Sequence, residues 1–244
     1  MSVIELDGAY NVREVGGLAT LDGGRTRHHL LYRGDSLDAI SARDADLLFN
    51  KLGIGAVIDV RSKPEIAYAK WRDAVDYHHL PLIEEGGIGK QPFPSAIPTE
   101  LAKAYLSDLQ EGRSQLRAIA EVLAGHLSSA RPCIVHCAAG RDRTGAIIAV
   151  LLAAVGVRDE DIAADYALSN RRARHVAQRL AANPLYANGQ TAAREPVMAS
   201  VDTIAGLLAL LRRSYQTPAR FLLGSGLAAT VLTRLEKALV ERPQ

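Results

Sequence analysis

Cys137 and Arg143 stand six positions apart in the run Cys133-Ile-Val-His136-Cys137-Ala-Ala-Gly140-Arg141-Asp142-Arg143-Thr144-Gly145. The apolar residues up to His136 read as a strand, and 146–155 as a helix starting near Arg143, so Cys137 lies where a strand opens onto a helix N-terminus. Backbone N–H groups converge at such a junction and the helix dipole favours negative charge. That setting lowers a thiol pKa, and the thiolate is the nucleophilic form. The amides of Ala138, Ala139, Gly140, Arg141, Arg143 and Thr144 can hold the three non-bridging oxygens of a phosphoryl group. Arg143 adds a planar two-pronged donor that lysine cannot match. The spacing alone is weak, because 29 of 244 residues are Lys or Arg. The conjunction of strand, His, Cys, small residues, Arg-Thr-Gly and helix carries the signal, against the alternative of a buried structural cysteine in a glycine-rich turn.

The elements that must position this loop read as an α/β alternation. Strands are expected at His29–Arg33, Ile54–Val60, Tyr77–Leu80 and Cys133–His136. Ser41 is the N-cap of a helix supported by Asp44 and stopped at Gly53, and Thr99–Leu127 reads as helix broken near Gly112. From Thr144 the chain is nearly all helical. One helix ends at Gly156, one runs from Asp159 to about Leu180, and Asn183-Pro184 with Asn188-Gly189 breaks the run. Two more follow around Val197–Arg213 and Gly226–Glu241. The pattern predicts a mainly parallel central sheet flanked by helices, with a helical C-terminal part, in one domain over 1–244. The segment Glu84–Pro98, with three glycines and three prolines, follows a strand at the ligand-binding end of such a sheet. It is either an active-site loop or an idle surface loop.

His136-Cys137-Ala-Ala-Gly140-Arg141-Asp142-Arg143-Thr144-Gly145 resembles the signature of the protein tyrosine phosphatase superfamily. It is most similar to the bacterial tyrosine/serine phosphatase branch, which includes secreted mycobacterial and listerial enzymes. Asn11-Val-Arg13-Glu-Val-Gly16-Gly17, Tyr32-Arg33-Gly34-Asp35-Ser36-Leu37, Val57-Ile-Asp59-Val-Arg61-Ser62 and Asp165-Tyr166-Ala-Leu-Ser169-Asn170 resemble further elements of that branch. The likeness thus spans about 11–170. It implies a tyrosine-phosphatase-like fold and a cysteine-dependent phosphomonoesterase, acting on phosphotyrosine and open to phosphoserine, phosphothreonine or phosphoinositides. Arg141 stands where the branch prefers Lys, which bears on any selectivity tied to that lysine.

The resemblance also implies roles. Cys137 attacks phosphorus, Arg143 and the loop amides stabilise the oxygens, and water then cleaves a phosphocysteine. Asp142 matches the acid proposed for the branch, with Glu84 and Glu85 as rivals. Trp71-Arg-Asp73 imitates the acid loop of ordinary tyrosine phosphatases but precedes its strand, at the wrong end of the sheet. His136 is expected to orient the loop rather than act as the base, and Thr144 to hydrogen-bond the thiolate or the phosphoenzyme. Arg141 is placed at the rim, reaching toward the substrate beyond its phosphoryl group, or else is an idle exposed charge. Cys133 is either a buried strand residue or a redox partner for Cys137.

Composition narrows the partners. A net charge of +2 with 48% hydrophobic and 23% charged residues fits a globular protein without nucleic-acid affinity, and Arg171, Arg172, Arg174 and Arg179 read as a solvated helix face. The longest apolar stretch is too short for a membrane span. Two cysteines and no signal-peptide pattern point to the cytoplasm, with leaderless export open. The partner is a phosphorylated protein or phospholipid. No cofactor or metal is expected: the pairs His28-His29 and His78-His79 fall at strands, where neighbours face opposite ways, and read as structural. A sulfurtransferase and an inactive phosphate-binding module are the competing classes, and a nucleotidase P-loop motif is absent.

Overall fold

The computed structural model describes residues 3–83, 97–187 and 198–242. The strands are β1 (Arg13–Glu14), β2 (Arg25–Thr26), β3 (Leu31–Gly34), β4 (Ala56–Asp59), β5 (Asp76–His79), β6 (Cys133–His136) and β7 (Val240–Glu241). The helices are α1 (Ala42–Ala45), α2 (Pro98–Glu111), α3 (Arg113–Ser128), α4 (Asp142–Ala154), α5 (Asp159–Ala167), α6 (Ala173–Ala181), α7 (Pro184–Ala187), α8 (Val201–Tyr215), α9 (Pro218–Leu223) and α10 (Ala229–Leu239).

Five strands form the central sheet in the order β1-β3-β6-β4-β5. The last four run parallel and β1 is antiparallel. Gly34 and Asp59 both pair with His136, so the chain leaves the sheet at Asp35, Val60 and Cys137 side by side. Alternation along the strands sends Ala56, Ile58, Cys133 and Val135 into a large core shared with the helices. Tyr32, Val57 and Ile134 go into a smaller core with Val12, Leu37 and Leu48, as a period of two requires. Helix α4, which follows the Cys-Arg loop, is buried from Asp142 to Leu152. Its apolar residues on every side make it a central helix rather than an amphipathic one.

The expected sheet and helices are present, with changes at their edges. Ser41 does cap α1, in a reciprocal pair with Asp44, and Gly53 follows with φ +67°. Between them Asp46–Lys51 widens into a π-helical turn. The helix expected from 159 to 180 is interrupted by a 3-10 turn at Leu168–Arg172. The strand expected from His29 starts two residues later: His28 and His29 sit in a turn, His29 has φ +59°, and both imidazoles face Glu14. The opposite-faces reading therefore fails for that pair. Strands β1, β2 and β7 were beyond a pattern reading, because two residues hold no period. Val240 ends α10 in extended backbone, where Thr26 and Val240 pair.

Candidate active site

The loop from Cys137 to Arg143 joins the carboxyl end of β6 to α4, and its carbonyls are pinned outward. Ala138 O accepts from Arg179 Nη2 at 2.6 Å and from the Ser36 amide at 3.2 Å. Ala139 O accepts from Asn11 Nδ2 at 3.0 Å, and Gly140 O from Arg33 Nη2 at 2.9 Å. In a planar trans peptide the N–H of the next residue points opposite to the carbonyl. Three outward carbonyls therefore turn the N–H groups of Ala139, Gly140 and Arg141 inward, into an anion-binding nest. Gly140 allows this with φ +66°, and a Cβ there would fall 2.4 Å from Gly34 O.

Each pinning donor is itself held. Asp165, 1% exposed, takes Arg33 Nη1 on one oxygen at 2.5 Å and Arg13 Nε on the other at 2.9 Å. Arg13 Nη1 in turn donates to Asn11 Oδ1 at 2.6 Å. Burial pushes the Asp165 carboxyl up, but Arg13 and Arg33 outweigh it and hold its pKa below the usual value. Arg179 also pairs with the buried Asp35 at 3.1 Å. It leaves the solvated face expected of the basic stretch, because α6 packs beside the loop and turns it inward. Arg171 and Arg174 remain exposed. The segments quoted around Asn11, around Arg33 and Asp35, and around Asp165 thus converge on one loop from three parts of the chain.

Inside the loop, Cys137 is 2% exposed. His136, fully buried, places Nδ1 3.4 Å from Cys137 O and Nε2 3.7 Å from Asp59 Oδ2. Burial lowers its pKa despite Asp59. Thr144 Oγ1 is buried without a hydrogen-bond partner, so the expected bond to the thiol is not made here. Both Nη atoms of Arg143 are engaged, at 2.5 and 2.6 Å, by the carboxylate of Glu65, while its Nε is buried and unpaired. Glu65 also takes Tyr186 Oη at 2.5 Å. Burial raises the Glu65 carboxyl, yet Arg143 prevails and brings it down to about 2. The sequence reading missed Glu65. Its available trace was the spacing Ser62-x-x-Glu65, a capping box that the structure forms. Arg61, buried among Asp59, Asp38 and Ser36, donates to Glu65 O at 3.1 Å and fixes that turn.

The other expected residues are placed as follows. Asp142 opens α4, 4% exposed, and its Oδ1 accepts from Tyr105 Oη at 2.5 Å and Arg141 Nε at 3.0 Å. Arg141 therefore lies against Asp142, its side chain 16% exposed, rather than reaching out from the rim. The carboxylate beside it attracts the guanidinium inward. Asp108, one helical turn beyond Tyr105 on α2, is a buried carboxyl that the sequence reading did not single out. Burial and Glu111 push its pKa up to about 6, against the pull of Arg143. Glu84 and Glu85, and the segment 84–96, lie outside the described residues. Asp73 accepts from Tyr68 and lines a recess with Gly55, at the amino ends of the strands and away from Cys137. Cys133 begins β6 and Cys137 follows its end. Four extended residues span about 13 Å, beyond the reach of a disulfide. Burial lifts the Cys133 thiol to about 12, so Cys133 is a buried strand residue and not a disulfide partner for Cys137.

Comparison with known proteins agrees with this geometry. Residues 4–241 match the model of the tyrosine phosphatase family. The chain is 32% identical over 200 residues to the triple specificity protein phosphatase PtpB of Mycobacterium tuberculosis, covering 70% of each chain. It is 32% identical over 177 residues to a protein of Cupriavidus necator named as a tyrosine-protein phosphatase, covering 69% of this chain and 63% of the relative. A tyrosine-protein phosphatase of Nostoc commune is 30% identical over 141 residues, 56% of this chain and 47% of its own.

Proposed function

The chain belongs to the tyrosine phosphatase family, and from that premise we propose that it dephosphorylates protein phosphotyrosine through a phosphocysteine on Cys137. Its activity as a cysteine-dependent phosphatase follows from the family. The triple specificity named for the M. tuberculosis relative supports a range extending to phosphoserine, phosphothreonine or phosphoinositides. The observation that carries the reading is the outward pinning of the Ala138, Ala139 and Gly140 carbonyls, which aims the intervening amides at one point beside Cys137.

In this mechanism the Cys137 thiolate attacks phosphorus, an S–P bond forms, and the P–O bond to the leaving group breaks opposite it. The inward amides and Arg143 hold the three equatorial oxygens, whose charge they meet without reorganising. Glu65 keeps the guanidinium in place before substrate arrives. Thr144 Oγ1 and Arg143 Nε, both unpaired in the structure, are donors for the sulfur and a phosphoryl oxygen. Neutral His136 steadies the Cys137 carbonyl. A carboxylic acid gives its proton to the departing oxygen. Water, delivering a proton back to that carboxylate, then attacks phosphorus and releases the thiolate.

Asp142 is the acid we favour, from its place in the loop. A second reading, Asp108, is favoured by its pKa of about 6, near where a donor works best. Replacing the true donor by Asn slows phosphotyrosine hydrolysis far more than that of activated aryl phosphates and flattens the basic limb of the pH–rate profile. Comparison of Asp142→Asn with Asp108→Asn identifies it. For the mechanism as a whole, Cys137→Ser is expected to abolish turnover while retaining vanadate or phosphate binding. Near-normal hydrolysis by that variant would refute a cysteine nucleophile.

A further inference from the structure

At the amino end of the sheet, far from Cys137, a second group of side chains converges. Asp76 and His78 are alternate residues of β5 and so face the same way. His126 meets them from the last turn of α3. One ligand atom from each lies within 4.8 Å of the other two. We propose that Asp76, His78 and His126 bind a divalent zinc-class ion that clips the edge strand to α3.

Three observations carry this. His126 Nε2 lies 3.6 Å from Asp76 Oδ2. His78 Nε2 and His126 Nδ1 are both buried with no hydrogen-bond partner, although a structural imidazole ordinarily finds one for each buried nitrogen. The two rings sit 5.7 Å apart at 71°. Imidazoles sharing a tetrahedral zinc, with Zn–N of about 2.0–2.1 Å, have centres roughly 5 Å apart, so less than an ångström of closure assembles the pair. Two imidazoles and one carboxylate are a zinc-type donor set, with the fourth position left to water. The C-terminus of the 16-residue α3 adds a dipole that favours a cation. One group opposes binding: Arg131 Nη1 lies 3.5 Å from Asp76 Oδ2 and competes for that carboxylate. The clip would join β5 to the helix that leads through Arg131-Pro132 into β6, the strand that ends at the nucleophile.

Because the Cys137 thiolate is itself a zinc ligand, the test uses the full chain carrying Cys137→Ser. Titration with Zn2+ is expected to retain one ion per chain after gel filtration. A hundredfold excess over Kd should raise Tm by about 5 °C or more. Co2+ in place of zinc should give tetrahedral visible bands without sulfur charge transfer. Adding His78→Gln or His126→Gln should weaken binding at least about tenfold, and Arg131→Gln should tighten it by freeing Asp76. The absence of a retained ion in the Cys137→Ser parent would overturn the proposal. So would unchanged affinity in either histidine variant. His78, on the edge strand and only partly buried, decides the matter if His126→Gln does not fold.

Discussion

The two ends of the central sheet handle buried polarity in opposite ways. At the carboxyl end, the carbonyls of Ala138, Ala139 and Gly140 each have a side-chain donor, and each donor's charge or dipole is fixed by a buried partner, Asp35, Asp165 or Arg13. At the amino end, His78 Nε2 and His126 Nδ1 are buried without a hydrogen-bond partner, and His126 Nε2 lies 3.6 Å from a half-exposed Asp76. The first arrangement is complete before any substrate arrives, which is what transition-state stabilisation requires, since amides already aimed need no reorganisation. The second is a set of donors spaced for something between them. Among the described residues at the first end, Arg33 Nε and His136 Nε2 are buried without a hydrogen-bond partner behind the loop, as are Arg143 Nε and Thr144 Oγ1, the two that face the reacting group in the proposed mechanism. What distinguishes scaffold from chemistry is the pinning of all three loop carbonyls, beside donors left for the reacting group at Arg143 Nε and Thr144 Oγ1.

That contrast can be broken most severely at Asp165. Asp165→Ala leaves Arg13 and Arg33 buried without their carboxylate, a loss on the order of 3–5 kcal/mol. In a chain of this size it lowers Tm by roughly 10 °C. It also frees Asn11 and Arg33 from their positions, so kcat/KM falls even at temperatures where the variant is folded. Calorimetry and kinetics on one preparation check both. If activity is kept while Tm drops, the pinned carbonyls are scaffold only.

Next in size is Arg143→Lys. Charge is preserved but the fork is lost, both toward Glu65 and toward the phosphoryl oxygens. A decrease in kcat of more than tenfold, about 1.4 kcal/mol, is expected with phosphotyrosine peptide. A smaller decrease would mean that a point charge suffices.

A subtler probe is the pH dependence of Asp108→Asn. The folded protein holds this carboxyl at about 6, above an unfolded value of about 3.9. Between those pH values the folded state binds the proton more tightly, so this group makes stability fall as pH rises from about 4 to 6. Asparagine removes that dependence. The variant should match the parent near pH 4 and exceed it above pH 6, by up to about 3 kcal/mol. Urea midpoints at pH 4 and 7 measure the difference, and an equal gap at both would locate the effect elsewhere.

The smallest expected effect lies at the opposite end. His78→Gln, assayed with chelator present, should leave kcat/KM within about twofold and stability within about 0.5 kcal/mol, as for most partly exposed substitutions. A large loss of activity without metal would show that the two ends are coupled through β5 and β6.

Much of this was legible in residue order alone. The run from Cys133 to Gly145 contains strand, loop and helix in sequence, because contiguous residues set a strand-to-helix turn and its glycine. The short apolar and β-branched runs in 54–60 and 133–136, alternating with helical patterns, pointed to a mainly parallel sheet covered by helices, since such patterns are local properties of a chain. The partners of the loop were a different matter. Glu65, Arg179 and Tyr105 lie 78, 41 and 37 positions from the groups they touch, Arg143, Ala138 and Asp142 respectively, and no local pattern pairs them with the loop. Arg179 looked like one more exposed arginine of a basic helix until the packing of α6 brought it against Ala138. Arg141 looked like a rim residue until Asp142 and the tyrosines beside it drew the guanidinium in. Charge pairing acts across space and depends on which helix faces settle against the sheet. The Cys137-to-Arg143 loop could therefore be read from the sequence, but the groups that hold it, and the imidazoles gathered at the far end, were decided only by tertiary packing.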